Sequence, residues 1–233
     1  MSVQLNQVIP WGRSFEEYRR MFALSPADLR GRILGCGDGP ASFNAEASAR
    51  AARVTSCDPI YSLDGDTIRR RFDECAGPLI AQVRATPEHY VWTYHRDPDD
   101  LLRNRQTAME GFLSDYARRG QSSRYVAAAL PVLPFADCAF DLAVVSHLLF
   151  LYSSLLDLAF HERSIRELCR VASEVRIFPL VTLDCAPSAH VAPVVAALEG
   201  SGYAVEIRTV DYEFVRGANQ MMRITSAASR SAA

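Results

Sequence analysis

Gly35-Cys36-Gly37-Asp38-Gly39-Pro40 lies between a short apolar strand and an alanine-rich helix, and this arrangement constrains the chain more than any other feature. Residues 32–35 read as the strand, 41–52 as the helix and 53–57 as the next strand. Together they form one β-loop-α-β unit, whose usual outcome is a right-handed parallel crossover. Three glycines at alternate positions let a ligand approach the main chain closely, and the following helix start offers free N–H groups. Asp58 ends the second strand 23 positions after Gly35. An ionised carboxylate there can accept hydrogen bonds from two ribose hydroxyls, each worth about 1.5–3 kcal/mol. The alternative is that Asp58 only caps the turn before Pro59.

The loop also discriminates between nucleosides. A dinucleotide fingerprint asks for glycine five positions after the first, where this chain has Pro40, and Asp38 puts negative charge where a pyrophosphate would lie. A cationic sulfonium with a free amino group tolerates that charge, which favours S-adenosylmethionine over NAD.

Composition removes several other chemistries. All 25 basic residues are arginine, so Schiff-base and lysine-base mechanisms are excluded. With 27 acidic residues the net charge is −2, and no basic field for nucleic acid is present. The apolar stretch 142–152 is interrupted by Ser146 and His147 and falls short of the roughly 20 residues of a membrane span. The opening M-S-V-Q-L-N-Q lacks a signal-peptide layout. Six scattered cysteines without a C-x-x-C pair read as reduced thiols, the pattern of a cytoplasmic protein. No His/Cys/Asp spacing suits a metal, and there is no G-x-S-x-G elbow.

The pattern predicts one domain, 1–233, with a helical N-terminal cover (1–30), a helical insertion (61–123) and a disordered tail (226–233). Within the cover, 14–22 reads as a helix and Ser25-Pro26 as the opening of a brief second one. The insertion carries helices over 66–84 and from Asp97-Pro98 to Gly120, the second with Arg105 on its apolar stripe. Further on, 125–129, 140–146 and 174–178 read as strands, the first two as buried ones, and 155–171 and 188–198 as helices. Residues 203–214 and 220–225 read as a closing antiparallel hairpin.

I-L-G-C-G-D-G-P, then C-D-P-I, then L-P-F-A-D-C-A-F-D-L-A-V-V-S-H resemble the class I Rossmann-like S-adenosylmethionine-dependent methyltransferases over about Gly31 to Thr225. P-W-G-R-S, S-H-L-L-F-L-Y and R-I-F-P-L resemble an uncharacterised bacterial branch of them. The resemblance implies a three-layer α/β/α fold around a seven-stranded sheet, order 3-2-1-4-5-7-6, with the last strand antiparallel. It implies S-adenosylmethionine as co-substrate, without a metal. Gly35, Gly37 and Gly39 would line its methionine and ribose part, Asp58 would hold the ribose and Ile60 would pack on the adenine, with Cys36, Asp38, Pro59 and Leu130 as further donor-binding residues. Two family features are missing: Ala129-Leu130-Pro131 replaces the acidic residue that often receives the adenine amino group, and Val171-Ala172-Ser173 replaces a Gly-Gly turn.

Ser146 and His147 would close the fourth strand between methyl donor and acceptor, with His147 as general base; a packed or capping histidine is the alternative. Arg13 and Tyr18 on the cover would reach the donor, Arg13 forking its carboxylate, unless Tyr18 belongs to the packing face. Tyr90, Trp92, Tyr94 and His95 form an aromatic patch, either a lid for the acceptor or core. The acceptor expected is a small molecule. A nicotinamide-dependent oxidoreductase and a non-catalytic donor-binding subunit are the rival readings.

Overall fold

The computed structural model describes residues 9–118 and 123–226 of the 233. Seven strands form one sheet: β1 (Arg32–Cys36), β2 (Arg53–Cys57), β3 (Tyr125–Val126), β4 (Phe140–Ser146), β5 (Ala172–Phe178), β6 (Tyr203–Thr209) and β7 (Gln220–Ser226). Their order is β3-β2-β1-β4-β5-β7-β6. β1 to β5 pair in parallel, and β7 runs antiparallel to both β5 and β6. This is the sheet that the resemblance implies, the Rossmann-like methyltransferase fold.

The strands are apolar on both faces because both faces are covered. Alternation along β1 and β4 sends Ile33, Leu142 and Val144 to one face, and Leu34, Ala143 and Val145 to the other. On the first face lie α1 (Phe15–Met21) and α2 (Phe43–Ser48), joined by Tyr18 stacked on Phe43 at 4.2 Å. The second face packs under α5 (Leu158–Val171) and α6 (Val191–Glu199). Met221 and Met222, adjacent in β7, bury into opposite faces.

Between β2 and β3 the chain forms α3 (Gly65–Ala85) and α4 (Pro98–Tyr116), which pack on each other through Phe72, Met109, Phe112 and Tyr116. Asp64 and Asp97 cap their first turns, accepting from the N–H of Thr67 and Asp100 at 2.7 Å each.

Several expected boundaries shift. The strand expected over 125–129 is only two residues long and half-buried, because it is the sheet's edge and the chain then turns inward at 128–130. The helix expected from 155 starts at Leu158, where Asp157 caps it, and the one expected from 188 starts at Val191. α2 covers only part of 41–52, and Ala51 beyond it has φ +64°. The brief helix after Ser25 is one 3₁₀ turn, Asp28–Arg30. β6 stops at Thr209, well before 214. α4 ends at Tyr116, so the expected stop at Gly120 lies outside the described residues, as do the opening M-S-V-Q-L-N-Q and tail 227–233; Ser226 still belongs to β7. Among the described residues no helix is long and apolar enough to cross a membrane.

Candidate functional site

A cavity of about 940 Å³ opens at the C-terminal ends of β1, β2 and β4. Ligands settle at this edge in open α/β sheets. Its floor is the loop after β1. Gly37 and Gly39 sit at φ +70° and +54°, and the N–H of Gly37 donates to the Cys57 carbonyl at 2.8 Å. A β-carbon on Gly37 would stand 2.6 Å from Leu148 Cδ2, whereas one on Gly39 would meet nothing within 4 Å. Cys36, Gly37, Asp38 and Gly39 all line the cavity.

Gly35 does not line it. A β-carbon there would lie 1.9 Å from an Asp38 carboxylate oxygen, so the missing side chain accommodates Asp38 and not a ligand. Asp38 turns inward and is 5% exposed. Its Oδ1 accepts from the Tyr18 hydroxyl at 2.8 Å and its Oδ2 from the Ser56 hydroxyl at 2.6 Å. Burial, helped by Asp58, pushes its pKa up to about 7 against those two hydrogen bonds.

Asp58 bridges the two loops. Its Oδ2 accepts from Gly39 N–H at 2.9 Å and its Oδ1 from Ile60 N–H at 2.8 Å, so it caps the turn at Pro59 and pins the glycine loop while still lining the cavity. Burial raises its pKa, against those N–H groups. Each oxygen keeps a second lone pair for a ligand hydroxyl. Pro59, Ile60 and Leu130 line the same end, with Ala128 and Ala129 beside them.

At the other end β4 finishes in Ser146 and His147. His147 has φ +51°, a left-handed backbone uncommon for residues other than glycine, and its N–H is held by the Phe178 carbonyl at 2.7 Å. This turn brings the ring to the cavity wall, with Nδ1 2.9 Å from Ser146 Oγ. Burial, then the nearby Arg13 and Arg105 cations, hold His147 well below the ordinary histidine range. It is therefore neutral at physiological pH, the form a general base requires.

Residues 9–13 cross the cavity. Ile9 N–H donates to the Tyr152 hydroxyl at 3.3 Å, and Trp11 rests on Phe72 of α3 at 5.8 Å. Arg13 lines the cavity and forms no ion pair among the described residues. Its Nη1 donates to the Trp11 carbonyl at 3.2 Å, and its Nε is buried without an acceptor. Burial and then Arg105 lower its pKa. Tyr18 lines the cavity too, although it is 1% exposed and packs on Phe43, with its hydroxyl donating to Asp38.

The aromatic patch is not a lid. Tyr90 stacks on Phe214 at 4.8 Å, Trp92 and His95 meet the same ring edge-on, and none of them lines the cavity. His95 instead joins a buried network that sequence reasoning did not assemble. Arg105 of α4 grips Glu17 of α1 in a fork, Tyr212 donates to Glu17 Oε1 at 2.8 Å, and His95 Nε2 lies 3.5 Å from the same oxygen. Burial pushes the Glu17 carboxyl up, but Arg105, His95 and Arg13 outweigh it and hold the group well below the usual range. Two signals point to this network in the sequence. Ser14-x-x-Glu17 is a capping-box pattern, and an arginine on an apolar stripe needs a buried anion. The cavity walls at Trp11, Cys75, Leu148, Leu156 and Phe160 carry no such signal. Among the described residues, no group of three or more His, Cys, Asp or Glu is placed to hold a metal ion.

The chain is 30% identical over 223 residues to "Uncharacterized protein MJ0045" of Methanocaldococcus jannaschii, covering 95% of this chain and 98% of that protein. No family model matches it. Among solved structures it is similar to N-methyltransferase NodS from Bradyrhizobium japonicum WM9, crystallised with S-adenosyl-L-homocysteine (14% identity, TM-score 0.48, 91% and 87% of the two chains covered). It is also similar to magnesium protoporphyrin IX methyltransferase from Synechocystis PCC 6803, crystallised with SAM (10% identity, TM-score 0.45, 91% and 90% covered).

Proposed function

The chain belongs to the family of the uncharacterised protein MJ0045 of Methanocaldococcus jannaschii, and we propose that it is an S-adenosylmethionine-dependent methyltransferase acting on a small molecule. One observation carries this reading: the cavity has two chemically different ends that match the two ends of an adenosyl amino acid. At one end Asp58 keeps free lone pairs beside the open Gly39 backbone, with Ile60 and Leu130 as apolar flanks. At the other end Arg13 presents a cation that forms no direct ion pair among the described residues, a match for a carboxylate.

S-adenosylmethionine, when bound, supplies a methyl group already activated on a sulfonium. The protein's task is then alignment and proton removal. Asp58 and Arg13 hold the two ends of the donor. His147 faces the space beyond them and accepts the proton that an O–H or N–H acceptor loses as its bond to the methyl carbon forms and the carbon–sulfur bond breaks.

That space is bounded by the crossing segment, by Cys75 of α3, and by Leu148, Leu156 and Phe160, mostly apolar and half-buried surface. A half-open pocket of this kind, which Arg71 and Glu74 of α3 also line, suits a small acceptor better than a macromolecule. We place the protein in the reducing cytoplasm, where its six free cysteine thiols would persist.

Calorimetric titration with S-adenosylmethionine, S-adenosylhomocysteine and NAD tests the reading. One-to-one binding of both adenosyl compounds and none of NAD is expected. Binding of NAD alone, or of none, overturns it.

A further inference from the structure

The sheet ends in two unlike edges. β3 is two residues long, whereas β6 runs for seven residues without proline or glycine, and among the described residues nothing pairs with its outer side. A long free edge is a template for another strand. The ladder to β7 fixes which groups this edge offers. Val210 N–H donates to the Asn219 carbonyl at 2.9 Å, and Arg208 with Met221, Glu206 with Arg223 and Ala204 with Thr225 continue that register at every second residue. These residues spend their main-chain groups on β7, so Tyr203, Val205, Ile207 and Thr209 aim theirs outward.

Side chains alternate as well. Tyr203 and Val205 turn to the face under α5 and α6 and pack on its core, and Ile207 follows them at 40% exposed. Glu206 and Arg208 stand on the other face. There Arg208 Nη2 donates to Glu206 Oε2 at 2.7 Å, and both side chains are 43% exposed. Arg223 of β7 approaches the same carboxylate at 3.7 Å.

We propose that β6 is the contact strand of a symmetric dimer, pairing antiparallel with β6 of a second copy of this chain about a two-fold axis at Ile207. Outward groups must meet outward groups, so Ile207 exchanges both main-chain hydrogen bonds with its own counterpart, and Val205 pairs with Thr209. Between these pairs, where opposed side chains come closest, Glu206 faces the second copy's Arg208 on each side of the axis. Each Glu206 then has one arginine beside it in its own strand and one across from it, and the four charges alternate around a square. Moving the axis to Glu206 sets carboxylate against carboxylate, and moving it to Arg208 sets guanidinium against guanidinium. An axis at Val205 puts Glu206 opposite Ala204 and Arg208 opposite Gly202. Charge therefore selects the Ile207 register, which also covers the exposed isoleucine with its counterpart. Such an isologous contact closes on itself at two copies. β5 and β7 lie between β6 and the cavity strand β4, so the contact stands apart from the donor site.

Sedimentation equilibrium of the full chain tests the assignment. The parent is expected at twice the mass of one chain. Arg208→Glu makes each Glu206 face a second acid, and Glu206→Arg makes each Arg208 face a second base, so either substitution alone should weaken dimerisation at least tenfold. Mixing the two variants in equal amounts restores opposite charges at both positions, and the mixture should return to the dimer mass. Both substitutions are on half-exposed side chains, and thermal melts should stay close to the parent. Should a charge variant not fold, Ile207→Pro blocks the same edge without touching the ladder to β7, because the N–H it removes points outward; it must also give a monomer. A monomeric parent, single variants as dimeric as the parent, or a mixture that stays monomeric overturns the proposal.

Discussion

Arg105 holds Glu17 with two parallel hydrogen bonds of 2.7 Å, and each side chain is 1% exposed. The pair joins the insertion helix α4 to the N-terminal helix α1, with Tyr212 closing it from the β6–β7 connection. A forked, fully buried pair costs much desolvation and adds little net stability while intact, but losing one partner strands the other charge.

Arg105→Met is therefore expected to destabilise the fold by about 3–5 kcal/mol. The double variant Glu17→Gln with Arg105→Met should recover part of that loss. Urea unfolding of the single and double variants checks it; a double variant as unstable as the sum of the two singles contradicts the account.

Asp58→Ala removes the caps on Gly39 and Ile60 together with the expected ribose acceptor. Cap loss alone costs about 0.5–2 kcal/mol. The affinity for S-adenosylhomocysteine should fall at least tenfold. Calorimetry beside a thermal melt separates the two effects, and unchanged affinity removes Asp58 from the binding site.

Gly39→Ala tests the floor of the cavity. The left-handed backbone there costs an L-residue about 1–2 kcal/mol, and the new methyl group projects into otherwise open space. A small stability loss and an affinity loss of more than tenfold are expected. Equal thermal stabilisation by S-adenosylhomocysteine in variant and parent would falsify contact at Gly39.

Asp38 predicts a pH dependence of stability. Its pKa rises on folding from the ordinary 3.8 to about 7, so between these values the folded chain binds more protons than the unfolded one and stability falls as pH rises. The full span corresponds to about 4 kcal/mol at 1.36 kcal/mol per unit. His95, His147 and His161, all lowered by burial, act oppositely by weakening the fold as pH falls below the ordinary histidine value. Comparing parent with Asp38→Asn cancels the histidines. The parent should lose stability relative to the variant from pH 5 to pH 8, and parallel curves would reject a buried, titrating Asp38.

Turnover provides the remaining check. His147→Ala should lower the methylation rate far more than donor affinity, by 10²-fold or more for a general base. A parent-like rate on a true acceptor excludes His147.

The parts of the fold readable in advance are those where a residue pattern meets a hard stop. β2 and β4 match the strands expected at 53–57 and 140–146, because each short strand stops at a polar residue on the cavity edge, Asp58 or His147. Edge strand β3 was less legible, since Tyr125 to Ala129 is apolar for two reasons, pairing at its start and lining the cavity at its end. In the site, Asp58, His147 and Arg13 carry recognisable chemistry. Asp38 was legible as a charge, but its inward turn follows from the absent side chain at Gly35, from Tyr18 twenty residues upstream and from Ser56 on the next strand. Such partners meet only once the chain has folded.

Gly12 presses against the carbonyl of Pro40 so closely that a β-carbon would sit 2.0 Å from its oxygen. The roof of the cavity and its floor thus touch, main chain to main chain, immediately beside Arg13. A bulkier residue at this crossing would prise the two apart and carry the guanidinium away with the roof. The crossing thus ties roof to floor at one point, while farther along the same segment Trp11 rests on Phe72 and Ile9 is held by the Tyr152 hydroxyl.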